Sequence, residues 1–196
     1  RKPIGQPGQL TLIHSGILYP QERNPRPFFA ALRALKDSGE IGPARLQVVL
    51  RATGSDHIYR PMLTELNLTD IVKLAPTANY REALREMLVA DGLLLFQASI
   101  CNHQVPAKLY EYLRAGRPIF TLTDPIGNTA DVLRAAEAMD IVNIADADDI
   151  TVGLRHFLGR LQDGSATGAR REIANLHSRR SRTRELARLL DQIAIE

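Results

Sequence analysis

Short apolar runs alternate with longer stretches of helical period along most of the chain. Runs rich in Val, Ile and Leu are typical of strands buried on both faces, whereas apolar residues three and four apart indicate amphipathic helices. The predicted strands are Leu10–Ser15, Leu46–Leu50, Ile71–Leu74, Leu93–Phe96, Ile119–Leu122 and Ile141–Ile144. The predicted helices lie near 25–38, 56–67, 80–90, 105–115, 129–138 and 148–162. This alternation predicts an α/β fold with a Rossmann-like, mostly parallel six-stranded sheet flanked by helices.

Several helix ends carry their own sequence signals. Asn24 before Pro25 predicts an N-cap followed by proline at the first helical position, where its missing N–H costs nothing. Asn79 with Glu82 three residues later resembles a capping box. Two glycines stand where helices are expected to end in a left-handed residue, Gly39 and Gly116.

The chain changes character after residue 162. Residues 163–169 are small and polar, and they predict a linker between a domain over 1–162 and a basic amphipathic helix within 170–196. The helix is expected near 170–193, with an apolar stripe made of Ile173, Leu176, Leu186, Leu189, Leu190 and Ile193. Seven arginines crowd this tail: Arg170, Arg171, Arg179, Arg180, Arg182, Arg184 and Arg188.

Composition limits the class of protein. The chain has 196 residues, 44% hydrophobic and 24% charged, which suits one ordinary packed domain. Its single cysteine, Cys101, excludes an internal disulfide and fits a reducing compartment, so a cytoplasmic location is expected. No apolar run is long enough to span a membrane, and residues 1–5 carry no signal-peptide core. The chain lacks an initiating Met, which fits either a processed or a shortened chain. We expect a shortened chain because the first predicted strand begins at Leu10.

The helix that begins near Pro106 is the first candidate for chemistry. In open parallel sheets ligands bind beyond the carboxyl ends of the strands, and this helix start follows the fourth strand. Its unpaired N–H groups and positive dipole end favour an anion, for which a diphosphate is the natural occupant. Lys108 and Glu111 lie three residues apart on one helix face, where they are suited to phosphate and to a sugar diol. The alternative is a surface ion pair.

The loop after the first strand adds two further candidates. Gly16 has no Cβ, so the backbone there can approach a phosphate closely, although a plain turn glycine is an equal alternative. Arg23 follows in the same loop, where its planar fork is suited to a diphosphate. A solvated arginine at a helix start is the alternative for Arg23.

Other classes of site have little support in the sequence. No G-x-G-x-x-G opens the first helix, no P-loop occurs, and Ser15-Gly16 lies outside a G-x-S-x-G elbow. The five histidines have no pair at metal-ligand spacing, so no metal is expected. His14 is expected to be a core histidine, and Cys101 an inert loop thiol. Trp is absent and the tail lacks interleaved aromatics, which disfavours nucleic acid as a partner.

A family resemblance rests on two stretches of sequence. The run from Val105 to Ile119, VPAKLYEYLRAGRPI, resembles the P-x-K-x-x-E-Y-x-x-x-G-[KR]-P stretch in the C-terminal domain of retaining GT-B glycosyltransferases. The run HSGILYPQERNPRPFFAAL resembles the first strand and loop of the same domain. The resemblance implies that this chain is half of a GT-B fold and binds a nucleotide-diphosphate sugar.

The resemblance also implies roles for individual residues. Glu111 matches the second glutamate of the family's E-x7-E motif, which holds the donor ribose, and Arg23 matches a loop lysine that contacts the diphosphate. His103 stands where the first glutamate is expected, which puts the usual contact to the donor sugar in doubt. Arg51 stands in place of a more glycine-rich loop and is a weaker phosphate candidate. Residues 76–79 correspond to the segment that holds the base, which makes Thr77 and Asn79 candidates.

The implied activity is that of a hexosyl- or related glycosyltransferase that needs no cofactor. An N-terminal acceptor-binding domain of the same protein is expected across the cleft, so this chain is expected to be inactive alone. The arginine-rich tail is either a solvated helix face or a peripheral contact with the inner membrane face. Two other functions stay open: an NDP-sugar epimerase-like domain, and a non-catalytic module that binds acidic partners through the tail.

Overall fold

The computed structural model describes residues 6–194. The strands are β1 (Leu10–Ser15), β2 (Leu46–Arg51), β3 (Val72–Ala75), β4 (Gly92–Gln97), β5 (Ile119–Thr123) and β6 (Ile141–Asn143). The α-helices of this region are α1 (Arg26–Asp37), α2 (Asp56–Glu65), α3 (Tyr80–Val89), α4 (Ala107–Ala115), α5 (Asn128–Ala135), α6 (Ala147–Gln162), α7 (Arg171–Leu176) and α8 (Arg179–Ile193). A 3₁₀ turn at Ser99–Cys101 precedes α4.

The six strands form one parallel sheet in the order β3-β2-β1-β4-β5-β6. Each predicted strand is confirmed within one residue at either end, and the predicted α/β fold with a parallel sheet is confirmed. The helix predicted over 129–138 ends earlier, at Ala135. The reason is Glu137, whose φ of 57° is left-handed and takes the chain out of the helix.

The sheet is covered on both faces, which explains why its strands read as continuous apolar runs. Alternate side chains of each strand enter different cores because successive residues point to opposite faces. One core contains Leu12 with the helices α1, α2 and α6, and the other contains Ile13 with α3, α4 and α5. The second core includes Tyr112 of α4, which is fully buried. This packing fixes α4 against the sheet.

The predicted helix ends are mostly confirmed. The side chain of Asn79 accepts a hydrogen bond from the backbone N–H of Glu82 at 3.0 Å and so caps α3. Gly116 follows α4 with φ of 64°, and Gly39 follows α1 with φ of 74°. The prediction for α1 was off by one residue, because Pro25 itself is the N-cap and Asn24 accepts from the N–H of Arg26 at 3.1 Å.

The single tail helix predicted near 170–193 is wrong, because two helices occupy this region. Ser178 adopts an extended backbone between α7 and α8, and its hydroxyl caps α8 by accepting from the N–H of Ser181 at 3.2 Å. Of the predicted apolar stripe, Ile173 packs against the second core. The stripe residues of α8 are exposed: Leu186, Leu189, Leu190 and Ile193. The tail therefore docks through α7, whereas α8 buries no residue.

The predicted linker over 163–169 contains neither helix nor strand, and its last two residues pack against the domain. Ala169 is buried in the second core. Gly168 lies against the backbone of Gly116 so closely that any Cβ at residue 168 would collide with the Gly116 carbonyl. The division into 1–162, 163–169 and 170–196 stays a prediction, and residues 1–5 and 195–196 lie outside the described part.

Candidate functional site

The candidate site lies where β1 and β4 are neighbours in the sheet. From β1 the chain continues outward to β2 and β3 on one side, whereas β4, β5 and β6 extend on the other. This reversal opens a crevice at the carboxyl ends of the two central strands, where ligands of open α/β sheets bind. The loops after β1 and β4 both end at this crevice.

The loop after β1 is held from both sides. The N–H of Leu18 donates to the carbonyl of Thr53 at 2.9 Å, and the N–H of Ala98 donates to the carbonyl of Glu22 at 2.8 Å. The buried Tyr59 also donates its hydroxyl to the Leu18 carbonyl. Because these bonds fix the loop at each end, Arg23 begins from a defined backbone position.

Gly16 opens this loop with φ of 134°, a conformation that residues with a side chain rarely adopt. Its N–H continues the sheet by donating to the Arg51 carbonyl at 2.9 Å. A Cβ at this position would lie 3.4 Å from Cε of Lys108. Glycine therefore keeps a gap between the end of β1 and the lysine side chain.

The start of α4 faces the same gap. Pro106 is buried as the N-cap, and among the described residues no side chain caps this helix. A helix start without a side-chain cap keeps backbone N–H donors and the positive end of the dipole available to an anion. One turn further along, the hydroxyl of Tyr112 accepts the N–H of Ser15 at 3.0 Å and ties α4 to β1.

Two cations border the crevice. Arg23 donates to the carbonyl of Ile17 at 2.9 Å, and its guanidinium carbon lies 5.4 Å from the ring centre of Tyr19. Lys108 donates from Nζ to Oε2 of Glu111 at 2.8 Å, and both side chains are about one third exposed. The surface ion pair weighed as an alternative does form, and it uses one of the three N–H donors of Lys108.

A cavity of about 190 Å³ joins these groups. Its lining includes Gly16, Arg23, Pro106, Lys108 and His14. Burial of the ring, together with the positive charges of Arg23 and Lys108, lowers the pKa of His14 to about 4. The cavity is therefore positively charged by two side chains, while its histidine is neutral at physiological pH.

The other predicted site residues lie elsewhere. His103 is exposed in the loop before α4, and its carbonyl accepts from Nδ2 of Asn128 at 3.5 Å. Thr77 lines a neighbouring cavity of about 290 Å³ formed by the loops after β2 and β3. The side chain of Asn79 is used as the α3 cap.

Arg51 also lies outside the charged cavity. Its guanidinium forms a salt bridge with Glu86 of α3 and donates from NH1 to the Pro76 carbonyl at 2.6 Å. Both side chains of this ion pair are largely buried, with 14% of Arg51 and 15% of Glu86 exposed to solvent. The side chain that was a phosphate candidate is thus fully used in holding the loop after β3.

His14 is buried, as predicted for a core histidine, but it also lines the cavity. Tyr112, which ties α4 to β1, carries no prediction from the sequence. Spacing alone gave a signal for Tyr112, because it follows Lys108 by four residues and shares its helix face. No comparable local signal exists for His14, whose ring contacts a strand distant in sequence.

Among residues 6–194, no group of three or more His, Cys, Asp or Glu side chains is arranged to hold a metal ion. None of the helices described is both long enough and apolar enough to cross a bilayer.

Comparison with known proteins finds similarity in structure only. Neither a protein-family model nor a curated protein sequence matches the chain. A glycosyltransferase from Rickettsia africae is similar over 95% of this chain and 48% of its own, with a TM-score of 0.70 and 12% identity. WaaG, a glycosyltransferase involved in lipopolysaccharide biosynthesis, is similar over 86% and 42%, with a TM-score of 0.64 and 19% identity.

A third similar structure is an α,α-trehalose-phosphate synthase (UDP-forming) from Burkholderia xenovorans, with a TM-score of 0.56 and 16% identity. It is similar over 80% of this chain and 36% of its own. The chain therefore spans less than half the length of each of these three proteins. Its parallel six-stranded sheet is consistent with half of a GT-B fold, and the similarity to these three structures supports that fold.

Proposed function

We propose that this chain binds a nucleotide-diphosphate sugar as the donor half of a glycosyltransferase. The observation that carries the proposal is the positively charged cavity at the switch point of the sheet, where Gly16, Arg23, Lys108 and the start of α4 meet. Each of these groups suits a diphosphate, through close backbone approach, through positive charge or through unpaired N–H donors. All of them lie at the carboxyl edge where such ligands bind.

In this proposal the Lys108–Glu111 pair separates when the donor binds. Lys108 turns from the carboxylate to the phosphate oxygens, which leaves Glu111 to accept both hydroxyls of the ribose. The exchange costs little, because an exposed pair of this kind is worth only about 0.2–1 kcal/mol. The base would then extend toward the neighbouring cavity, which Thr77 lines. Asn79 caps the helix that follows this loop, and Arg51 donates to the carbonyl of Pro76 in the same loop.

The chemical contribution of this half would be electrostatic. When the bond between the sugar and the diphosphate breaks, negative charge grows on the leaving diphosphate. Arg23, Lys108 and the start of α4 would stabilise this charge without a metal ion. The remaining groups, including those that hold the acceptor, would come from an N-terminal domain of the same protein, so no sugar transfer by this chain alone is expected. His103 in place of the motif's first glutamate would alter the contact to the donor sugar.

Helix α8 is the proposed contact with that missing domain. Its four exposed apolar residues lie on one side of a helix that buries nothing, so a further surface is needed to remove them from water. The similar transferases are more than twice as long as the part that this chain matches, which leaves room for such a surface.

A membrane surface is the competing partner for α8, because its arginines suit anionic headgroups. Co-sedimentation with anionic and neutral vesicles at low and high salt separates the two partners. Binding to anionic vesicles that disappears with salt would support peripheral attachment at the inner membrane face.

Isothermal titration with UDP, GDP and ADP tests the donor site. We expect one of the three to bind, and Lys108→Met to weaken its binding at least about tenfold, since a charge-assisted hydrogen bond contributes about 1.5–3 kcal/mol. Lys73→Met, which removes an exposed lysine from β3, is the matched control and should bind normally. Absence of heat with all three nucleotides would count against the proposal.

An epimerase acting on the same nucleotide sugars is the second candidate. The cavity favours neither reaction, because both need the diphosphate and ribose contacts. An epimerase needs additional acid and base residues from the other domain. Product analysis of the full-length protein separates them, since only a transferase releases a nucleoside diphosphate together with a glycosylated acceptor.

A further inference from the structure

We propose that His14 takes up a proton when the diphosphate of a nucleotide sugar enters the cavity, so that donor binding is coupled to protonation. This inference rests on the proposed donor site. It assigns a role to a buried group that the electrostatic description of the site does not use. The proton comes from solvent and adds to the free lone pair of Nε2, and no other bond is made or broken.

The hydrogen bond of the ring determines which nitrogen is free. Nδ1 of His14 lies 2.9 Å from the carbonyl oxygen of Leu94, and a carbonyl only accepts, so Nδ1 carries the hydrogen. Nε2 is buried and has no hydrogen-bond partner. The side chain keeps 3% exposure and lines the cavity beside Gly16 and Lys108. A buried acceptor without a partner is costly, which indicates that its partner is absent until a ligand or a proton arrives.

Turning the ring to satisfy this nitrogen would cost another hydrogen bond. The ring packs edge-on against Phe96, with centres 5.2 Å apart and an angle of 86° between the planes. A half-turn of the ring would keep this contact but break the bond from Nδ1 to the Leu94 carbonyl. The hydrogen bond to Leu94 therefore favours the orientation in which Nε2 is the free nitrogen.

The charged groups around His14 explain why it is neutral without ligand. Arg23 from the loop after β1 and Lys108 from α4 both repel a proton on the ring, and burial of the ring disfavours its charged form most of all. Glu111 is engaged by Lys108, and the hydroxyl of Tyr112 accepts from Ser15. The pKa of His14 is accordingly about 4.

A bound diphosphate shifts this balance. Its two negative charges offset the repulsion from Arg23 and Lys108, which favours the imidazolium form although burial still opposes it. The new Nε2–H would also supply a donor where a buried acceptor had no partner.

The direction of the pH dependence follows from linkage. A group whose pKa rises on binding strengthens the ligand's affinity as the pH falls through the bound-state pKa, and the gain levels off below the free-state pKa of about 4. Because the pKa of His14 is higher in the complex than in the free protein, nucleotide sugars should bind more tightly at about pH 5.5 than at about pH 7.5.

The test uses UDP-glucose, GDP-mannose and ADP-glucose, because both phosphates of a nucleotide sugar stay ionised over this pH range. Titration calorimetry in buffers with different ionisation enthalpies measures the protons taken up on binding. ¹⁵N NMR of histidine-labelled protein identifies the nitrogen that receives them. We expect Nε2 of His14 to be bare in the free protein at about pH 5.5 and protonated in the complex.

The control variants are His14→Asn, whose amide can still donate to the Leu94 carbonyl, and His156→Gln, which changes an exposed histidine on α6. Proton uptake should vanish in the first and persist in the second. The NMR measurement on the unchanged chain decides the matter even if His14→Asn fails to fold. Binding without protonation of His14 overturns this inference alone, whereas failure of every nucleotide sugar to bind overturns it together with the donor site.

Discussion

Two arginines at the same edge of the sheet have opposite surroundings. Arg23 follows β1 and Arg51 ends β2. Arg51 is bound to the carboxylate of Glu86 and to the Pro76 carbonyl, and little of its side chain is exposed. Arg23 contacts a single carbonyl and the ring of Tyr19 and lines an open cavity. The same residue type is structural in one loop and suited to a ligand in the next.

The difference lies in the nearest carboxylate. A guanidinium that already holds both oxygens of a carboxylate has its fork geometry satisfied and gains little from a phosphate. Arg23 has no carboxylate contact among the described residues, and Lys108 has one that is exposed and easily exchanged. Substitution of Arg51 should therefore lower the stability of the chain, whereas substitution of Arg23 should lower its affinity for a nucleotide.

The largest expected effect is loss of stability in Arg51→Met. The change leaves the Glu86 carboxylate buried without its partner, and we expect the free energy of unfolding to fall by about 3 kcal/mol. Urea denaturation followed by circular dichroism measures it. Arg85→Met, which alters an exposed arginine on the same helix as Glu86, should change stability by less than about 0.5 kcal/mol. Equal losses in both variants would contradict a structural role for Arg51.

Next in size is loss of nucleotide affinity in Arg23→Gln. Removing one charge-assisted fork from the diphosphate should raise the dissociation constant about thirtyfold, equivalent to about 2 kcal/mol, with little change in stability. Titration calorimetry with the nucleotide that binds best measures this change. Arg60→Gln on α2 serves as the control with an exposed arginine. Unchanged affinity in Arg23→Gln would contradict a ligand-binding role for Arg23.

A smaller loss is expected in Gly16→Ala. The new Cβ would adopt an unfavourable positive φ and occupy the gap beside Lys108, so we expect affinity to fall about tenfold and stability by about 1 kcal/mol. Gly42→Ala provides a control, because a Cβ there meets open space and the backbone is not left-handed. Normal binding by Gly16→Ala would show that the close approach is unnecessary.

The smallest expected effect is that of Glu111→Gln, which should change the affinities for two ligands in opposite directions. In Glu111→Gln the lysine loses its exposed partner, so inorganic pyrophosphate should bind up to about fivefold more tightly. A nucleoside diphosphate should bind more weakly, because its ribose loses a carboxylate acceptor. Parallel titrations with both ligands measure the split. A change of the same sign for both would contradict the exchange of Lys108 between carboxylate and phosphate.

Much of the fold was predictable because its signals are local. Apolar runs, helical period and cap residues lie within a few positions of each other, so β1 was predicted with its observed bounds and the others within one residue. The tail was misread, since its helical period continues past Ser178 although the chain bends there. A period alone does not reveal a break when the residues at the break also fit a helix.

In the candidate site, too, some features follow from local sequence and others depend on contacts between distant residues. The sequence by itself determined that Gly16, Arg23, Pro106 and Lys108 follow strands whose ends share one edge, because parallel βα units place all such loops together. Only the tertiary structure decided which charges are already paired. Arg51 meets Glu86 35 residues away, and His14 meets Leu94 80 residues away. Such pairings depend on the order of the strands and on the packing of the helices, which no local pattern encodes.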